Sequence, residues 1–194
     1  MTYLIGLTGR ARAGKDTVAR MLGIPRYSFA DKLREFLYAM NPVVLSDHGE
    51  TRTLASAVDE YGWEGIKGTP YAFDVRRIMQ NYGVASRGMY GEDVWVNLLD
   101  EKVYADRPPI AVISDVRFDN EAQWVRQWGN GEVWRIERPG VEGAVRDHVS
   151  ERGVSDAYVD AIIRNDSDLA TLATRVREVF NLAVARSRTG AMHP

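Results

Sequence analysis

The chain has 194 residues, with 25 lysines and arginines against 27 aspartates and glutamates and a formal net charge of −2. This balance disfavours a general nucleic-acid binder, whose domain is normally basic. The absence of cysteine excludes disulfides and thiolate metal sites. The sequence contains no apolar run of about 18 residues, so no membrane span is predicted. The length favours one domain, 1–194, and no signal-peptide pattern is seen, so we expect a cytoplasmic protein.

The first informative stretch is a glycine-bounded loop, 9–17, between an apolar strand at 3–8 and a helical run at 18–22. A P-loop requires this context. Its glycines allow a tight turn in which successive N–H groups face one concavity, and these groups bind phosphate oxygens together with the helix N-terminus. Lys15 adds a positive charge for the outer phosphates. The predicted phosphate-binding set is Gly9, Arg12, Ala13, Gly14, Lys15, Asp16 and Thr17.

One position departs from the usual P-loop pattern. The Ser or Thr that normally follows the lysine, and whose hydroxyl binds Mg²⁺, is replaced by Asp16, with Thr17 one place later. A carboxylate beside a polyphosphate is repulsive unless a cation lies between them. The loop therefore predicts a metal as well as a nucleotide. The structural alternative is a glycine-rich turn that caps a helix.

A second strand is predicted at 26–29, followed by a helix at 30–40 with apolar residues at helical spacing. The first forty residues thus have the order strand, loop, helix, strand, helix, which is typical of a parallel α/β sheet. Asp31 and Lys32 come at the end of the second strand, where they can face a ligand pocket.

The middle of the chain, 41–104, is predicted to be a helical acceptor-binding region. Residues 41–50 look irregular and polar, helices are expected at 54–61, 72–82 and 93–104, and 63–70 is a glycine-containing connection. Arginines at 76, 77 and 87 lie within this region.

The arginines indicate a phosphate-bearing acceptor, because guanidinium groups match phosphate oxygens in a bidentate manner. We take Arg77 and Arg87 as the phosphate clamp. Recognition of a base also needs an amide and an aromatic ring, and Gln80 and Trp95 are the candidates. The structural alternative is a solvated helix face for the arginines and a core position for Trp95.

A third strand, at 110–114, is a continuous apolar run followed directly by Asp115. An acid in that position resembles a Walker-B carboxylate, which touches Mg²⁺ directly or through water. The alternative for Asp115 is a helix cap or turn acid. Arg117 is placed either on a phosphate or in an ion pair with Glu121, four residues on.

The fourth strand, at 131–137, leads into a glycine-containing, arginine-bearing segment, 138–150, which suits a lid over the phosphates. Arg138 and Arg146 would close on the reacting groups and exclude water. The alternative is an ordinary surface loop. A helix at 120–128 precedes this strand, and a fifth strand at 161–165 and a helix at 167–186 follow the lid. The predicted fold is a three-layer P-loop α/β domain with a five-stranded parallel sheet.

These motifs resemble those of the phage-type deoxynucleoside monophosphate kinases, within the P-loop nucleoside monophosphate kinase superfamily. The resemblance rests on motifs spread over most of the chain: Gly14-Lys15-Asp16-Thr17, Phe29-Ala30-Asp31-Lys32-Leu33, the spacing of Arg77, Gln80, Gly83 and Arg87, the run from Asp115 to Glu121, and Asn165-Asp166. Within this resemblance Asp16 is a family feature rather than a blemish.

The resemblance implies the reaction ATP + dNMP → ADP + dNDP, with Mg²⁺. Gly9, Gly14 and Lys15 would hold the donor β- and γ-phosphates. Asp16 and Thr17, with Asp115, would contribute to the metal environment. Arg77 and Arg87 would clamp the acceptor phosphate. The remaining substrate-binding candidates are Asp31, Lys32, Gln80, Trp95 and Arg117. If the protein is phage-encoded, its compartment would be the host cytoplasm.

Two other functions stay open at this point. One is a P-loop kinase of another phosphorylated metabolite, such as phosphomevalonate or dephospho-coenzyme A, and the other is a non-catalytic nucleotide-binding protein. Neither a nucleic-acid nor a membrane partner is expected. Trp124 and Trp128 would serve either a homodimer interface or the core.

Overall fold

The computed structural model describes residues 2–128, 131–141 and 153–189. The chain forms two compact units, one of Met1–Phe29 with Val96–Pro194 and one of Ala30–Trp95. The predicted acceptor-binding region, 41–104, overlaps the second unit. Within the described ranges, none of the helices has the length and hydropathy needed to cross a membrane.

The regular elements alternate between strands and helices through most of the chain. In chain order they are β1 (Tyr3–Thr8), α1 (Lys15–Leu22), β2 (Arg26–Tyr27), α2 (Ala30–Met40), β3 (Val43–Leu45), β4 (Thr51–Thr53), α3 (Leu54–Gly65), α4 (Ala72–Tyr90), α5 (Val94–Asp106), β5 (Ile110–Ile113), α6 (Asp119–Trp128), β6 (Glu132–Glu137), β7 (Ala161–Arg164) and α7 (Leu169–Thr189). Short 3₁₀ turns lie at Ile66–Gly68 and Asp156–Tyr158.

The first unit is built on a five-stranded sheet with strand order β2-β5-β1-β6-β7. All of its strand pairs are parallel, which confirms the predicted α/β fold. Strand β1 lies at the centre, and all six of its residues are buried. A continuous apolar strand of this kind is expected where helices cover both faces of a sheet.

The two faces of β1 have different neighbours. Ile5 and Leu7 belong to a buried cluster with side chains of α1 and α7. On the opposite face Gly6 lies against α6, and a Cβ at this position would come within 3.3 Å of Val125 Cγ2. The sheet is therefore the middle layer of three, and its carboxyl edge is left for the loops.

The amino edge of the same sheet is closed by a buried carboxylate. Glu132, the first residue of β6, accepts hydrogen bonds from Tyr3 Oη (2.8 Å), Trp134 Nε1 (3.0 Å), and Arg186 Nε (2.5 Å) and Nη2 (2.7 Å). Burial alone would raise the pKa of Glu132, but the bonds from Arg186, Trp134 and Tyr3 outweigh it and lower the pKa. Arg186 thereby ties α7 to the start of β1 and β6.

The second unit contains an antiparallel hairpin, β3-β4, in which Val44 pairs with Arg52. The expectation of an irregular segment at 41–50 is wrong here, because Val43-Val44-Leu45 is a short apolar run with two β-branched valines, and Val44 is fully buried. Asp74 holds the hairpin to α4, since its Oδ2 accepts a hydrogen bond from Leu45 N at 2.9 Å.

Several element ends differ from the sequence prediction. Strand β2 stops at Tyr27 rather than residue 29, because the Phe29 N–H donates to the Asp115 carboxylate instead of to a strand. Helix α4 continues past residue 82 to Tyr90 and ends at Gly91, whose φ is 99°. Glycine is tolerated inside a helix at a cost of about 1 kcal/mol, so Gly83 and Gly88 do not break it.

Candidate active site

The loop between β1 and α1 has the backbone geometry of a phosphate-binding loop. Gly9 and Gly14 have φ values of 133° and 108°, in the region that favours glycine. At Gly9 a Cβ would lie 2.4 Å from Ile136 O, so the loop passes too close to β6 for any side chain. Arg12 also has a positive φ, 65°, which makes the loop a strained turn.

Lys15 is the first residue of α1, and its side chain folds back over the loop. Its Nζ donates to Gly9 O at 2.6 Å and to Arg10 O at 2.9 Å. The ammonium group is thus held at the start of the loop, close to the N-terminus of α1. A cation in that position, beside the N-terminus of α1, gives the loop a positive potential suited to a polyphosphate.

Asp16 is held from outside the loop by an arginine. Its Oδ1 lies 3.2 Å from Arg26 Nη2, while Arg26 Nε donates to Ser114 Oγ at 3.0 Å. These contacts connect α1, β2 and the end of β5. Both charged side chains are partly exposed, 49% for Asp16 and 37% for Arg26, so their pairing positions the carboxylate more than it stabilises the fold. Thr17 lies on the same turn of α1.

Asp115 follows β5, as the sequence predicts. Its Oδ2 accepts from Ser28 Oγ at 2.7 Å and its Oδ1 accepts from Phe29 N at 2.8 Å. The carboxylate therefore fixes the chain that leaves β2, which is the turn role named as the alternative. A carboxylate oxygen has further lone pairs, so this role and a role in metal binding are compatible.

The segment after Asp115 is held by Glu121 of α6. Glu121 Oε2 accepts from the backbone N–H of Arg117 at 2.7 Å and of Phe118 at 3.2 Å. Glu121 is buried and Arg117 is exposed. These bonds order the loop and present the Arg117 side chain to solvent.

In the second unit, one stripe of α4 carries Arg77, Gln80 and Arg87. Gln80 comes three residues after Arg77, and Arg87 comes seven residues after Gln80. Arg77 Nε and Nη2 both contact Asp74 Oδ1, at 2.8 and 2.5 Å. Arg87 is 5% exposed and its Nη1 donates to Glu92 O at 2.5 Å. The structure thus fixes the two guanidinium groups in different ways, one partly exposed and one buried.

Other substrate-binding candidates of this unit have local partners. Asp31 Oδ1 accepts from Arg34 at 3.1 Å and Lys32 Nζ contacts Glu35 at 2.6 Å, both within α2. Trp95 is buried, and its Nε1 donates to Gly83 O at 3.0 Å. This geometry favours the core position for Trp95 over stacking on a base.

Little of the predicted lid belongs to the described part of the chain. Arg138 directly follows β6 and is exposed. Arg146 and the rest of 142–150 lie outside the described residues. Trp124 is buried, with Nε1 at 3.2 Å from Asp100 Oδ1, so it packs in the interior of its own unit.

Three residues that contact predicted site residues were given no role by the sequence. They are Arg26, Asp74 and Asn165. Asn165 follows β7, and its Nδ2 donates to Ala13 O in the loop at 2.9 Å. Besides its place in the Asn165-Asp166 motif of the resemblance, its signal is an amide directly after a parallel strand, at the edge where ligands bind. Among the described residues no three acidic or histidine side chains converge as a ready-made metal cage.

Comparison with known proteins points to one family of enzymes. The family model described as deoxynucleotide monophosphate kinase matches residues 42–176, which is more than half of the chain. The deoxynucleoside-5'-monophosphate kinase of Escherichia phage T5 is 25% identical over 228 aligned positions, which cover 87% of this chain and 91% of the relative.

One solved structure shows the same fold at low identity. TT1252 from Thermus thermophilus is 15% identical with a TM-score of 0.50, over 93% of this chain and 97% of that one. A dephospho-CoA kinase from Campylobacter jejuni is 16% identical with a TM-score of 0.40, over 96% and 100%.

Proposed function

The chain belongs to the deoxynucleotide monophosphate kinase family, and we propose how its own residues transfer the ATP γ-phosphate to a deoxynucleoside monophosphate. The main function inferred from the sequence is thereby confirmed, as is the assignment to ATP-dependent kinases. Its substrates are small-molecule nucleotides. The roles of individual residues are the proposal.

The observation that carries the proposal is the loop 9–15. Gly9 and Gly14 adopt positive φ values, α1 begins at Lys15, and the Lys15 ammonium already contacts loop carbonyls. We assign the N–H groups from Gly14 to Thr17 to the donor phosphates, because the Ala13 N–H donates to Arg10 O within the loop at 3.2 Å. Lys15 would exchange its carbonyl partners for β- and γ-phosphate oxygens, which are stronger acceptors because they are charged.

Mg²⁺ fits the residues that the structure offers. It is normally held by one or two carboxylates together with substrate phosphates and water, rather than by an all-protein cage. Asp16 and Asp115 are the carboxylates at the carboxyl edge of the sheet, next to the proposed phosphate site. Mg²⁺ would neutralise charge on the transferring group. Asp16, aimed by Arg26, is the residue that would hold its water shell.

The acceptor needs no general base. A phosphate monoester has a second pKa of about 6, so its oxygen is already an anionic nucleophile near neutral pH. What the enzyme must supply is alignment and charge neutralisation. We assign the acceptor phosphate to Arg77 and Arg87 and the base to Gln80, with Asp31, Lys32 and Arg117 as further predicted contacts, whereas the buried Trp95 keeps a core position. Arg138 and Arg146 would act from the lid.

Asp74 supports the choice of Arg77 as a phosphate ligand. It binds Arg77 through one oxygen and the β3 backbone through the other, so the guanidinium is pre-oriented. Pre-orientation lowers the ordering cost of a bidentate phosphate contact. Arg77 is also the better residue to mutate, because Arg87 is buried and its truncation would disturb packing as well as binding.

The proposal is tested by an ADP-release assay over the four dNMPs, their ribonucleotide counterparts, phosphomevalonate and dephospho-coenzyme A. We expect turnover with at least one dNMP and none with the last two compounds. Turnover confined to phosphomevalonate or dephospho-coenzyme A would contradict it. In the same assay Arg77→Ala should raise the acceptor KM about tenfold and leave the ATP KM within twofold. Arg76→Ala, on the same helix, is the control and should leave both KM values within twofold.

The cellular setting follows from the substrates. We propose that the enzyme acts in the cytoplasm, where ATP and deoxynucleotides are available. A homodimer remains a proposal without support from Trp124, whose ring is buried, and light scattering of the purified protein would test it. Binding to nucleic acid is not expected, in keeping with the net charge of −2.

A further inference from the structure

The phosphate loop is held by a residue from the far end of the sequence. Asn165 Nδ2 donates to Ala13 O at 2.9 Å across 152 positions of chain. Asn165 is itself anchored, because its backbone N–H donates to Glu137 O at 2.7 Å. The amide therefore reaches the loop from a fixed point at the ends of β6 and β7.

The carbonyl that Asn165 binds determines the direction of an N–H group in the loop. Ala13 C=O and Gly14 N–H belong to one planar trans peptide, in which they point in opposite directions. Because Asn165 holds the Ala13 oxygen on its own side of the loop, the Gly14 N–H is directed to the other side. For a phosphate loop, that side is where the donor oxygens bind.

The space around Gly14 provides a second observation. A Cβ built on Gly14 would lie 2.6 Å from Asn165 Nδ2, a separation that real side chains do not adopt. Gly14 also has a φ of 108°. The φ value favours glycine at this position, and a Cβ there would also displace the Asn165 amide from its place against the loop.

We propose that Asn165 is a positioning residue, which sets the orientation of the Ala13–Gly14 peptide and so aims the Gly14 N–H at the donor phosphates. This inference rests on the proposed function of the loop. It assigns to the end of β7 a part in ATP binding that acts through the backbone. Asn165 itself need not touch the nucleotide.

A purely structural role makes different predictions. If Asn165 only ties β7 to the loop, its loss lowers the melting temperature and affects both substrates alike. If it orients the Gly14 N–H, its loss affects ATP and spares the acceptor. The split between the two substrates therefore separates the alternatives.

The test compares Asn165→Ala and Asn165→Asp with Asp166→Ala. Asp166 is the next residue and pairs with Arg175, so its variant perturbs the same loop without touching Ala13. We expect Asn165→Ala to raise the Kd for ATP about tenfold, measured by calorimetry. Asn165→Asp should raise it more, because a carboxylate has no N–H and repels the carbonyl. The Kd for dNMP should stay within twofold, and Asp166→Ala should change neither.

A coupled pair of substitutions tests the contact itself. Gly14→Ala should weaken ATP binding less in the Asn165→Ala background than in the wild type, because the side chain it meets has been shortened. Equal losses in both backgrounds would contradict the contact, and unchanged ATP affinity in Asn165→Asp would overturn the proposal even if Asn165→Ala proved too unstable to study.

The experiments distinguish a failure of the proposed function from a failure of the role proposed for Asn165. If the wild-type protein binds ATP but phosphorylates no dNMP, the assigned reaction is wrong, while the ATP affinities of the variants still decide the role of Asn165.

Discussion

The two edges of the central sheet are built on opposite principles. At the amino edge, Glu132 is fully buried and accepts four hydrogen bonds from side chains of β1, β6 and α7. At the carboxyl edge, Lys15, Asp16 and Arg26 are partly exposed, and Lys15 contacts backbone oxygens. The first edge satisfies its charges internally, whereas the second keeps them available to a ligand.

The difference shows why the charged groups at the amino edge stabilise the fold, whereas those at the carboxyl edge serve ligand binding. A buried carboxylate must be fully hydrogen-bonded, and removing a partner leaves an unsatisfied group. A partly exposed charge contributes little to stability, but it is free to exchange partners when a polyphosphate arrives. We therefore expect substitutions at the carboxyl edge to change activity and substitutions at the amino edge to change stability.

The largest effect is expected at Lys15. Lys15→Met should reduce turnover on the order of 10³-fold, because it removes a positive charge from the transferring phosphates. The melting temperature of the variant should remain within a few degrees of the wild type, because the hydrogen bonds that Lys15 makes are to partly exposed groups. Steady-state ADP release and thermal unfolding measure the two quantities. Retained turnover would sink the assignment of the loop.

Glu132→Ala tests the opposite edge. It leaves the Tyr3 hydroxyl and the Trp134 indole N–H without their acceptor, and we expect a loss of about 3 kcal/mol in the free energy of unfolding. Urea denaturation measures it, with the exposed Glu101→Ala as the control. The KM for ATP of the folded enzyme should be unchanged. If Glu132→Ala changed the KM for ATP without lowering stability, the proposed contrast between the two edges of the sheet would be wrong.

Arg26→Gln should have a smaller effect, confined to the metal. Arg26 contacts Asp16 at 3.2 Å, so its loss releases the carboxylate without deleting it. We expect the Mg²⁺ concentration for half-maximal activity to rise about threefold, a change of less than 1 kcal/mol, with stability unchanged. The same Mg²⁺ titration on Arg177→Gln, which changes an exposed arginine of α7, should match the wild type.

The smallest effect is a dependence of stability on acid pH. The pKa of Glu132 is lowered in the folded state, so its contribution is present above the unfolded pKa and is lost as pH falls through the folded pKa. In the wild type, unfolding free energy should therefore decline as pH drops below about 4.3, the ordinary value for glutamate. Glu132→Gln should be less stable at neutral pH and flatter over this acid range.

Much of the carboxyl edge could be predicted from the sequence, because local pattern determines it. A glycine-bounded loop between an apolar strand and a helix has few other structures, and Asp115 follows a run whose burial is evident from its composition. The five parallel strands were found for the same reason. Strand β3 was missed because three residues are too few to show alternation.

Partners separated along the chain could not be predicted. Nothing near Glu132 in the sequence indicates that Arg186 binds it, and nothing near Ala13 indicates Asn165. Trp95 shows the same limit in another form, because an aromatic residue beside arginines has the pattern of a base-stacking ring and of a core residue alike. Its bond to Gly83 O is a tertiary fact, and it favours the core.

The parallel pairing of β1 has a consequence for protein synthesis. Tyr3 pairs with Ile110, Ile5 pairs with Glu132, and the loop after β1 is held by Asn165. At about 5–20 residues per second, the ribosome makes the loop on the order of 10 s before it makes the residues that shape it. A nascent chain that ends before Asn165 should therefore lack high affinity for ATP. Competence to bind the nucleotide would be acquired only after Asn165 is made, although the phosphate-binding residues are made well before it.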